Sequence, residues 1–452
     1  MALEIKSIKG TADVLPSDSY KWQFVERKFL DTAQKYGFGE IRVPTFEDKR
    51  LFIRSVGDTT DVVQKEMYTF TDQGGRELAL RPEGTAGVNR AVIENGLING
   101  ALPVKLSYAI SCFRAEKPQA GRMREFHQLG MELFGASSPS ADAEVIAFVD
   151  EFFRLLGIRN ISLEINSIGC KECRKNYHAA LKSYFEARKD RLCDTCLERL
   201  DKNPLRILDC KNPDCKEVAK DAPVVLDYLC DDCRAHFEGL KKRLDALGVP
   251  YTVNPRIVRG LDYYVRTVFE FVSSDLGAQS TVCGGGRYDG LIKSLGGPDQ
   301  PGIGYAMGVE RLLMVMKAQG IEIPAPAPCD LYIGSIGEEA SVEALRLCGI
   351  LRGEGFSAEC DIVGRSVKAQ MKYADKIGAR FSMVLGDNEL AEKKAAVKNM
   401  ATGENTAVAL DGESLKQFLY NAGLHDLGDA LAGTLGGLLE NMKANPVSEG
   451  KE

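Results

Sequence analysis

Residues 112–135 read CFRAEKPQAGRMREFHQLGMELFG. This order is typical of a hairpin: a strand that runs into Arg114, a loop rich in charge and glycine, and then a second strand. Because side chains alternate between the faces of a strand, Gln128, Gly130 and Glu132 are expected on one face, where the glycine leaves room for a small ligand. Such a set of polar groups is costly to bury when nothing binds to it, so we predict a ligand site here, with Arg114 as its cation. An amphipathic hairpin with a solvated polar face would show the same alternation, and the hairpin alone does not decide between the two.

The composition limits the class of protein. The chain has 452 residues, enough for two or three domains, and 44% of them are hydrophobic. A net charge of -6 gives no strong overall field in favour of nucleic acid, so any RNA contact must come from local basic patches. No signal-peptide pattern opens the sequence and no apolar run approaches about 20 residues, so we expect a soluble, cytoplasmic protein with no membrane partner. The odd number of 13 cysteines favours reduced thiols or metal ligands over a set of disulfides.

Two elements before the hairpin bear on the site. Residues 40–48, EIRVPTFED, are expected as one strand closed by Pro44. Residues 67–81 predict a second hairpin that ends in the sequence RPEGT. In RPEGT, Glu83 and Thr85 lie where a helix begins. They either cap that helix or provide a fixed anion and a hydroxyl that bind the ammonium group of an amino acid.

Residues 170–255 differ from their surroundings in composition and are rich in cysteine. The cysteines occur as Cys170-x-x-Cys173, Cys193-x-x-Cys196, Cys210-x4-Cys215 and Cys230-x-x-Cys233. Thiolate pairs at this spacing can place two sulfurs on one Zn²⁺ at about 2.3 Å, and four sulfurs complete a structural site. Eight ligands would make two sites, with the pairs combined in sequential or nested order. Free thiols in a helical segment are the alternative, and the sequence leaves both open.

Three stretches after this segment are candidates for a pocket wall. They are RGLDYY at 259–264, VCGGGRYDGL at 282–291 and GIGYAMGVERLL at 302–313. Three consecutive glycines let the backbone approach a ligand closely. The last stretch places a glycine-rich strand end against a helix from which Arg311 can point back over the site. Each signal is weak by itself.

The pattern changes after a proline-rich linker at residues 324–328. Strands then alternate with helices up to residue 424, which indicates a small, mostly parallel α/β domain. In one of these helices, predicted over residues 365–378, Arg365 and Lys368 belong to a basic face that continues through Lys372 and Lys376. A basic face suits phosphates, although most such faces are simply solvated.

These stretches together resemble one family of enzymes. The first hairpin resembles motif 2 of the class II aminoacyl-tRNA synthetases, in which Phe-Arg-x-Glu is followed by a variable loop and Gly-Arg-x-x-x-Phe. Its continuation REFHQLGMELFG is similar to the corresponding stretch of histidyl-tRNA synthetases, as are RPEGT, RGLDYY and VCGGGRYDGL. Residues 40–48 and 302–313 correspond to motifs 1 and 3, and the resemblance covers residues 5–424.

The resemblance implies an α+β fold. Residues 1–169 and 256–324 would form a class II antiparallel sheet with flanking helices, and residues 170–255 a helical, cysteine-rich insertion domain. Residues 325–424 would form a C-terminal α/β anticodon-binding domain, followed by a tail, residues 425–452, with no assigned role. Motif 1 forms the dimer interface in that family, so a homodimer is expected.

The implied reaction is the activation of L-histidine with ATP and Mg²⁺, followed by transfer of histidine to tRNA-His. In-line attack of a carboxylate on the α-phosphate brings two anions together, so fixed guanidinium groups must offset their repulsion. The resemblance gives this catalytic role to Arg114, Arg259 and Arg311. It assigns the ATP site to Arg114, Glu116, Phe126 and Arg311, with Phe126 stacked on adenine. It assigns the histidine site to Glu83, Thr85, Gln128, Glu132, Tyr263 and Tyr264, with Glu132 and Tyr264 at the imidazole. Its candidate tRNA contacts are Lys117, Arg122, Arg124, Arg365 and Lys368.

Two other functions fit the same fold. A catalytically inactive, synthetase-like regulatory subunit of ATP phosphoribosyltransferase would lack the intact arginines and the C-terminal domain, and this sequence has both. A class II synthetase of different specificity would lack RGLDYY and the Gln128/Glu132 pair. Both alternatives are therefore less consistent with the sequence.

Overall fold

The computed structural model describes residues 5–57, 60, 62–119, 121–208, 210, 212–257, 261–279 and 281–424. The predicted catalytic Arg259 and the predicted tail, 425–452, lie outside the described residues. The chain divides into two compact units, one that ends at Pro324 and one that begins at Ala325. Within the described parts of the chain, no helix combines the length and the apolar character that a membrane span requires.

The first unit is built on an antiparallel sheet. Its strands are β1 (Gly39–Glu40), β2 (Phe46–Asp48), β3 (Thr69–Thr71), β4 (Glu77–Leu80), β5 (Val104–Phe113), β6 (Glu125–Phe134), β7 (Ile161–Ser167), β8 (Thr252–Val253), β9 (Val265–Ser273), β10 (Thr281–Arg287) and β11 (Gly302–Gly308). The large sheet has the order β1-β5-β6-β11-β10-β9-β7-β8, with parallel pairing only at the two edge pairs, and β2-β4-β3 form a small separate sheet. The predicted antiparallel class II sheet is therefore confirmed.

The helices of the first unit are α1 (Pro16–Lys35), α2 (Lys49–Val56), α3 (Thr85–Glu94), α4 (Pro139–Leu155), α5 (Lys171–Glu186), α6 (Asp194–Lys202), α7 (Pro213–Ala219), α8 (Asp231–Leu247), α9 (Leu291–Ser294) and α10 (Val309–Ala318). Helices α1, α4 and α10 pack on the large sheet, whereas α5, α6 and α7 belong to the cysteine-rich segment. Leu129 and Met131 of β6 pack with Phe29 of α1, Phe148 of α4 and Leu312 of α10 in the largest hydrophobic cluster. This is the apolar face that the alternation in β6 predicts, so the opposite face carries the polar residues.

Two local predictions are wrong. Residues 40–48 do not form one strand: Glu40 pairs with Ser107 in the large sheet, whereas Phe46 pairs with Leu80 in the small one. Pro44 lies between them and has no N–H to give to a ladder. The chain there is held instead by Arg81, whose Nη1 donates to the carbonyl oxygens of Val43 at 2.7 Å and Pro44 at 3.2 Å.

The second correction concerns the space beside Gly130. The predicted occupant of this space is a ligand, but the ring of Tyr108, the partner of Gly130 on β5, fills it. A Cβ atom at Gly130 would lie 2.2 Å from Cζ of that ring. The glycine thus accommodates a buried tyrosine, whose role in the site is described below.

The cysteine-rich segment has its own hydrophobic cluster, which extends from Cys173 to Cys233. Helix α8 begins in this cluster and continues into the catalytic core, where Phe237 and Leu240 pack in the main cluster and the helix lies against α4. Strand β8 then joins the large sheet. The predicted insertion, residues 170–255, therefore includes half a helix and a strand that pack with the core. We use "the insertion" below for residues 170–233.

The second unit is a small α/β domain. Its strands are β12 (Leu331–Ser335), β13 (Ala358–Cys360), β14 (Phe381–Leu385), β15 (Lys394–Asn399) and β16 (Asn405–Ala409), and its helices are α11 (Glu338–Gly353), α12 (Val367–Lys376), α13 (Asp387–Glu392) and α14 (Gly412–Asn421). The sheet order is β13-β12-β14-β15-β16, parallel among the first three strands and antiparallel among the last three. The predicted alternation of strands and helices is confirmed, but the sheet is not mostly parallel, since two of its four strand pairs are parallel and two are antiparallel.

Candidate active site

A cavity of about 960 Å³ lies over the polar face of the large sheet; we call it the central cavity. It is bounded by the β5–β6 hairpin, by the start of α10, by residues 261–264 and by one side of the insertion. It brings together most of the residues that the sequence analysis assigned to histidine and ATP, namely Glu83, Thr85, Arg114, Glu116, Phe126, Gln128, Tyr263, Tyr264 and Arg311. Such a wide, polar cavity can hold a nucleotide and an amino acid together.

Two of the three predicted catalytic arginines face this cavity. Arg114 follows the last residue of β5, and its Nε donates to the carbonyl oxygen of Pro82 at 2.9 Å. Its guanidinium carbon lies 5.2 Å from the centre of the Phe126 ring. Arg311, in the first turn of α10, donates from Nε to the carbonyl oxygen of Gly121 at 3.1 Å and from Nη1 to that of Thr281 at 2.6 Å. Both guanidinium groups are thus oriented by hydrogen bonds to backbone oxygens.

Other cationic side chains lie close to Arg311. Burial, together with the nearby charge of Arg122, lowers the pKa of Arg311 from its ordinary value. Glu116, a predicted adenine contact, forms an ion pair with Arg122 at 3.1 Å. The guanidinium groups of Arg114, Arg122 and Arg311 thus lie near one another on this side of the cavity, which suits a polyanionic ligand such as a triphosphate.

Glu83 is both a cap and a cavity residue. Its carboxylate accepts the backbone N–H groups of Thr85 at 2.7 Å and Ala86 at 2.8 Å, at the start of α3. The capping interpretation of RPEGT is therefore correct for the geometry, yet Glu83 also lines the central cavity. Burial raises its pKa, and the two N–H donors oppose that shift. A cationic ammonium group beside it would favour its charged form, so the cap does not exclude the second role.

Glu132 lies beneath the cavity floor and not in its wall. Its side chain is fully buried, with Oε1 accepting hydrogen bonds from Thr85 at 2.7 Å and Tyr108 at 3.1 Å. Tyr288 donates a short hydrogen bond to Oε2. A Cβ atom at Gly304, on the neighbouring strand, would lie 1.8 Å from Oε2, so only glycine fits there. The predicted direct contact between Glu132 and an imidazole therefore requires one of these hydroxyl groups to rotate away.

Glu132 should give the protein a pH-dependent stability that Glu132→Gln removes. Burial raises the pKa of Glu132 to about 8, although its hydroxyl donors oppose the shift. Between the ordinary value of 4.5 and about 8, the folded protein therefore keeps a proton that the unfolded chain has released, so folding becomes less favourable as pH rises. The free energy of unfolding of the parent relative to the variant should fall by up to about 1.4 kcal/mol per pH unit in this window.

Trp22 provides the measurement. It is the single tryptophan, and its ring lies 4.7 Å from that of His127 on β6, so its fluorescence follows unfolding of the catalytic unit. Denaturant titrations of parent and variant should be compared from about pH 5 to 8. A difference between the two proteins that stays constant over this range would mean that Glu132 does not hold the proton.

The other predicted histidine contacts are in the cavity wall. Gln128 is buried and accepts a hydrogen bond from the Cys112 thiol at 3.3 Å. The rings of Tyr263 and Tyr264 lie 4.6 Å apart, and Tyr263 also contacts Tyr288 edge-on at 5.7 Å. These contacts tie the 261–264 segment to the tyrosine that holds Glu132.

The predicted tRNA contacts are divided among several places. Arg122 lines the central cavity, and Lys117 is exposed in the hairpin loop. Arg124 donates to the carbonyl oxygens of Lys9 at 3.2 Å and Glu116 at 3.4 Å. In the second unit, Arg365 lies just before α12 and forms an ion pair with Asp361 at 2.7 Å, whereas Lys368 is exposed on the helix.

The eight cysteines of the insertion form two clusters, and their order is nested. The outer cluster consists of Cys170, Cys173, Cys230 and Cys233, and the inner cluster of Cys193, Cys196, Cys210 and Cys215. Within each cluster all four sulfurs lie within 4.8 Å of one another. The sulfur atom of Cys170 lies 3.6 Å from that of Cys173 and 3.9 Å from that of Cys230, and those of Cys193 and Cys210 lie 3.8 Å apart. Four sulfurs at about 2.3 Å from a tetrahedral Zn²⁺ would lie about 3.8 Å from one another.

In each cluster a backbone N–H group donates a hydrogen bond to a cysteine sulfur. The N–H of Cys230 donates to the sulfur of Cys173 at 3.1 Å, and the N–H of Cys193 donates to that of Cys215 at 3.2 Å. Such N–H donors stabilise thiolates, so both clusters have the geometry and the surroundings that Zn²⁺ requires. The inner cluster also borders the central cavity through Cys193 and Cys210.

Sequence reasoning missed several residues of the site. Tyr108 and Tyr288 are the hydroxyl donors to Glu132, and Gly304 makes room for its carboxyl group. Arg199 and Arg206 of the insertion line the central cavity. For Gly304 the available signal was its place in the middle of a strand, since a glycine there often marks a point where another group approaches the backbone closely.

Comparisons with known proteins agree with this geometry. A family model described as histidyl-tRNA synthetase matches residues 10–312, and one described as an anticodon binding domain matches residues 330–417. A histidine–tRNA ligase of Caldanaerobacter subterraneus subsp. tengcongensis is 54% identical over 406 residues, which cover 90% of this chain and 97% of the relative. One from Clostridioides difficile is 52% identical over 417 residues, covering 92% and 99%.

Solved structures give the same result. The crystal structure of apo S. aureus histidyl-tRNA synthetase superposes with a TM-score of 0.78 at 40% identity, covering 91% of this chain and 99% of that one. A Bacillus halodurans structure described as an ATP phosphoribosyltransferase regulatory subunit/histidyl-tRNA synthetase shares the fold with a TM-score of 0.60 at 24% identity. With a family model matched over most of its length and relatives above 50% identity, this chain belongs to the histidyl-tRNA synthetase family, a family of class II aminoacyl-tRNA synthetases.

Proposed function

We propose that this chain is a histidine–tRNA ligase that forms histidyl-adenylate from L-histidine and ATP in the central cavity and then transfers histidine to tRNA-His. The observation that carries the proposal is the meeting of Arg114 and Arg311 with Glu83, Gln128 and Tyr264 in one cavity. The two arginines can bind a triphosphate, and the other three residues can bind an amino acid with a polar side chain. Because tRNA is charged where it is used, we expect the enzyme in the cytoplasm.

Adenylate formation depends on fixed positive charge. The histidine carboxylate attacks the α-phosphate in line, and Arg114 offsets the repulsion between the two anions while Phe126 stacks on adenine. Arg311 stabilises the departing pyrophosphate. Because backbone oxygens already orient both guanidinium groups, little reorganisation is needed in the transition state. Arg259, outside the described residues, is assigned to the α-phosphate by the family pattern alone.

Mg²⁺ would accompany the ATP. Glu310 and Glu270 line the central cavity and offer the carboxylate oxygens that Mg²⁺ prefers, so they are the residues that would hold it. Glu310 is fixed by the backbone N–H of His127, at 2.9 Å from Oε1 and 3.2 Å from Oε2. The ion would neutralise phosphate charge during the reaction.

Histidine would be recognised at both of its ends. Glu83, Thr85 and Gln128 take the ammonium and carboxylate groups, and Tyr264 and Glu132 pair with the imidazole. A buried carboxyl group and a hydroxyl give one acceptor and one donor, which an imidazole requires. Sites that hydrogen-bond a substrate in this way reject analogues without those groups by about 10⁴–10⁵.

We further propose one structural Zn²⁺ in each cysteine cluster. The insertion is small, and its hydrophobic cluster contains the cysteines themselves, so the metal would replace the packing that such a segment lacks. Metal analysis of protein purified without chelators should find about two zinc ions per chain. Less than about half an equivalent would contradict the proposal.

Transfer to tRNA and dimerisation complete the proposed function. Arg122 at the cavity and Lys117 at the loop tip are suited to the acceptor end, and the exposed Lys368 to the anticodon side. Phosphate contacts of this kind weaken with salt. Phe46 and Phe70, exposed by 53% and 43% with ring centres 6.1 Å apart, form an apolar patch on the small sheet and are candidates for the homodimer interface.

Pyrophosphate exchange measured with each amino acid in turn tests the proposed function. We expect exchange with histidine and none, or less than about 1% as much, with the others. Exchange with proline, threonine or glycine and not with histidine would show a synthetase of different specificity. Silence with every amino acid would favour the regulatory-subunit alternative, whose fold is the same.

A further inference from the structure

The segment that carries Tyr263 and Tyr264 separates two cavities. On one side is the central cavity, and on the other is a smaller cavity of about 100 Å³, the rear cavity, between the insertion and the large sheet. Leu261 and Tyr264 line both. Tyr264 packs in a hydrophobic cluster with Tyr108 and Tyr288, but because cavities lie on both sides of the segment its position depends also on the contacts at its edges.

The main edge contact is made by Asp262. Its backbone N–H donates to the carbonyl oxygen of Val56, the last residue of α2, at 3.3 Å. A Cβ atom at Gly57 would lie 2.6 Å from Oδ2 of Asp262, so the carboxylate fits closely against the end of this helix. A helix C-terminus disfavours a negative charge, and a cation nearby is needed to hold it there.

The insertion supplies that cation. Nη2 of Arg206 lies 2.9 Å from Oδ1 of Asp262, with 17% of the arginine side chain and 34% of the aspartate side chain exposed. Arg206 is itself placed by its surroundings: its carbonyl oxygen accepts a hydrogen bond from Arg199 at 3.2 Å, and it lies between Cys196 and Cys210 of the inner cluster.

We propose that Arg206 is a positioning residue for histidine binding. Through Asp262 it holds the wall between the two cavities, and with it Tyr263 and Tyr264, in the position that the amino acid requires. The insertion therefore takes part in histidine binding even though it makes no direct contact with the bound amino acid. This inference rests on the proposed function, in which those two tyrosines line the histidine pocket.

Steady-state pyrophosphate exchange tests the inference in the full-length protein. Arg206→Ala should raise KM for histidine about tenfold and change KM for ATP less than about twofold, because the ATP-binding arginines are anchored elsewhere. Asp262→Ala should have the same effect, and the double variant should be no worse than either single one. Arg206→Lys should restore part of the loss, since it keeps the charge.

A matched control and a second variant separate the possible outcomes. Lys182→Ala removes two other ion pairs of the insertion, with Asp201 at 2.9 Å and with Glu186 at 3.7 Å, and should leave both KM values unchanged. Tyr264→Phe tests the pocket itself. If Tyr264→Phe raises KM for histidine and Arg206→Ala does not, the pocket is correct and the positioning role is wrong. If neither variant does, the assignment of the pocket fails and this inference fails with it.

Thermal unfolding followed by Trp22 fluorescence tests whether a loss of stability, and not a displaced wall, explains the change in KM for histidine. The Arg206 and Lys182 variants should have similar midpoints, since both lose only partly exposed ion pairs, which contribute little to stability. Strongly additive effects of Arg206→Ala and Asp262→Ala on KM for histidine would also overturn the proposal, because they would mean that the two residues act independently.

Discussion

Replacement of Arg114 by alanine should lower histidine-dependent pyrophosphate exchange by about 10²–10³-fold in kcat. The residue lies at the end of the strand that forms the cavity floor, and a bond from Nε to the carbonyl oxygen of Pro82 holds its guanidinium beside Phe126. This bond uses Nε, so the terminal nitrogens can donate to a ligand in the cavity that Arg114 lines. Fixed donors of this kind act most strongly on charge that develops in the transition state, so the loss should fall on kcat more than on KM for ATP.

Arg114→Lys separates charge from geometry. Lysine keeps the positive charge but loses the planar fork that binds two phosphate oxygens, so we expect it to recover only part of the activity. Arg50→Ala is a suitable control, because Arg50 is exposed and forms a local ion pair with Asp48 at 2.5 Å, two residues away. Exchange within about threefold of the parent in Arg114→Ala would contradict the role given to this residue.

The β5–β6 hairpin illustrates what the sequence can predict. The face that each β6 side chain takes follows from alternation, because Leu129, Met131 and Leu133 face the main core and a one-residue slip would bury polar groups there. That the opposite face lies under a cavity and not in solvent does not follow from this pattern. The break at Pro44 could also have been read from the sequence, because proline has no N–H for a strand ladder. It was missed because two short strands on either side of a proline look like one strand in sequence.

The surroundings of Glu132 could not be predicted in this way. Its hydroxyl partners Tyr108, Thr85 and Tyr288 are separated from it by 24, 47 and 156 residues. Their convergence depends on the sheet order β5-β6-β11-β10, which no local pattern encodes. The same holds for Arg206, which reaches Asp262 across 56 residues. Local patterns thus identify which residues carry chemistry, whereas the fold decides which of them touch a ligand and which act through others.

The nested order of the cysteines leads to the second large effect. If each cluster holds one zinc ion, the double variant Cys173→Ser/Cys196→Ser damages both sites and should lose both ions. Cys173→Ser/Cys233→Ser damages only the outer site and should keep one. In a sequential arrangement the two results would be exchanged, because Cys173 would then share a site with Cys196 and not with Cys233.

Loss of the metal should also unfold the insertion locally. A structural zinc site contributes roughly 10 kcal/mol or more in small metal-dependent domains, which exceeds what a segment of this size gains from packing. Chelation should therefore raise amide hydrogen exchange in helices α5–α7 by several orders of magnitude while β6 stays protected, because β6 belongs to the separate main core. Cys329→Ser serves as the control: this thiol is buried in the second unit, outside both clusters, and its variant should keep two zinc ions and full protection. Unchanged exchange in α5–α7 after the zinc is removed would mean that hydrophobic packing alone holds the insertion together.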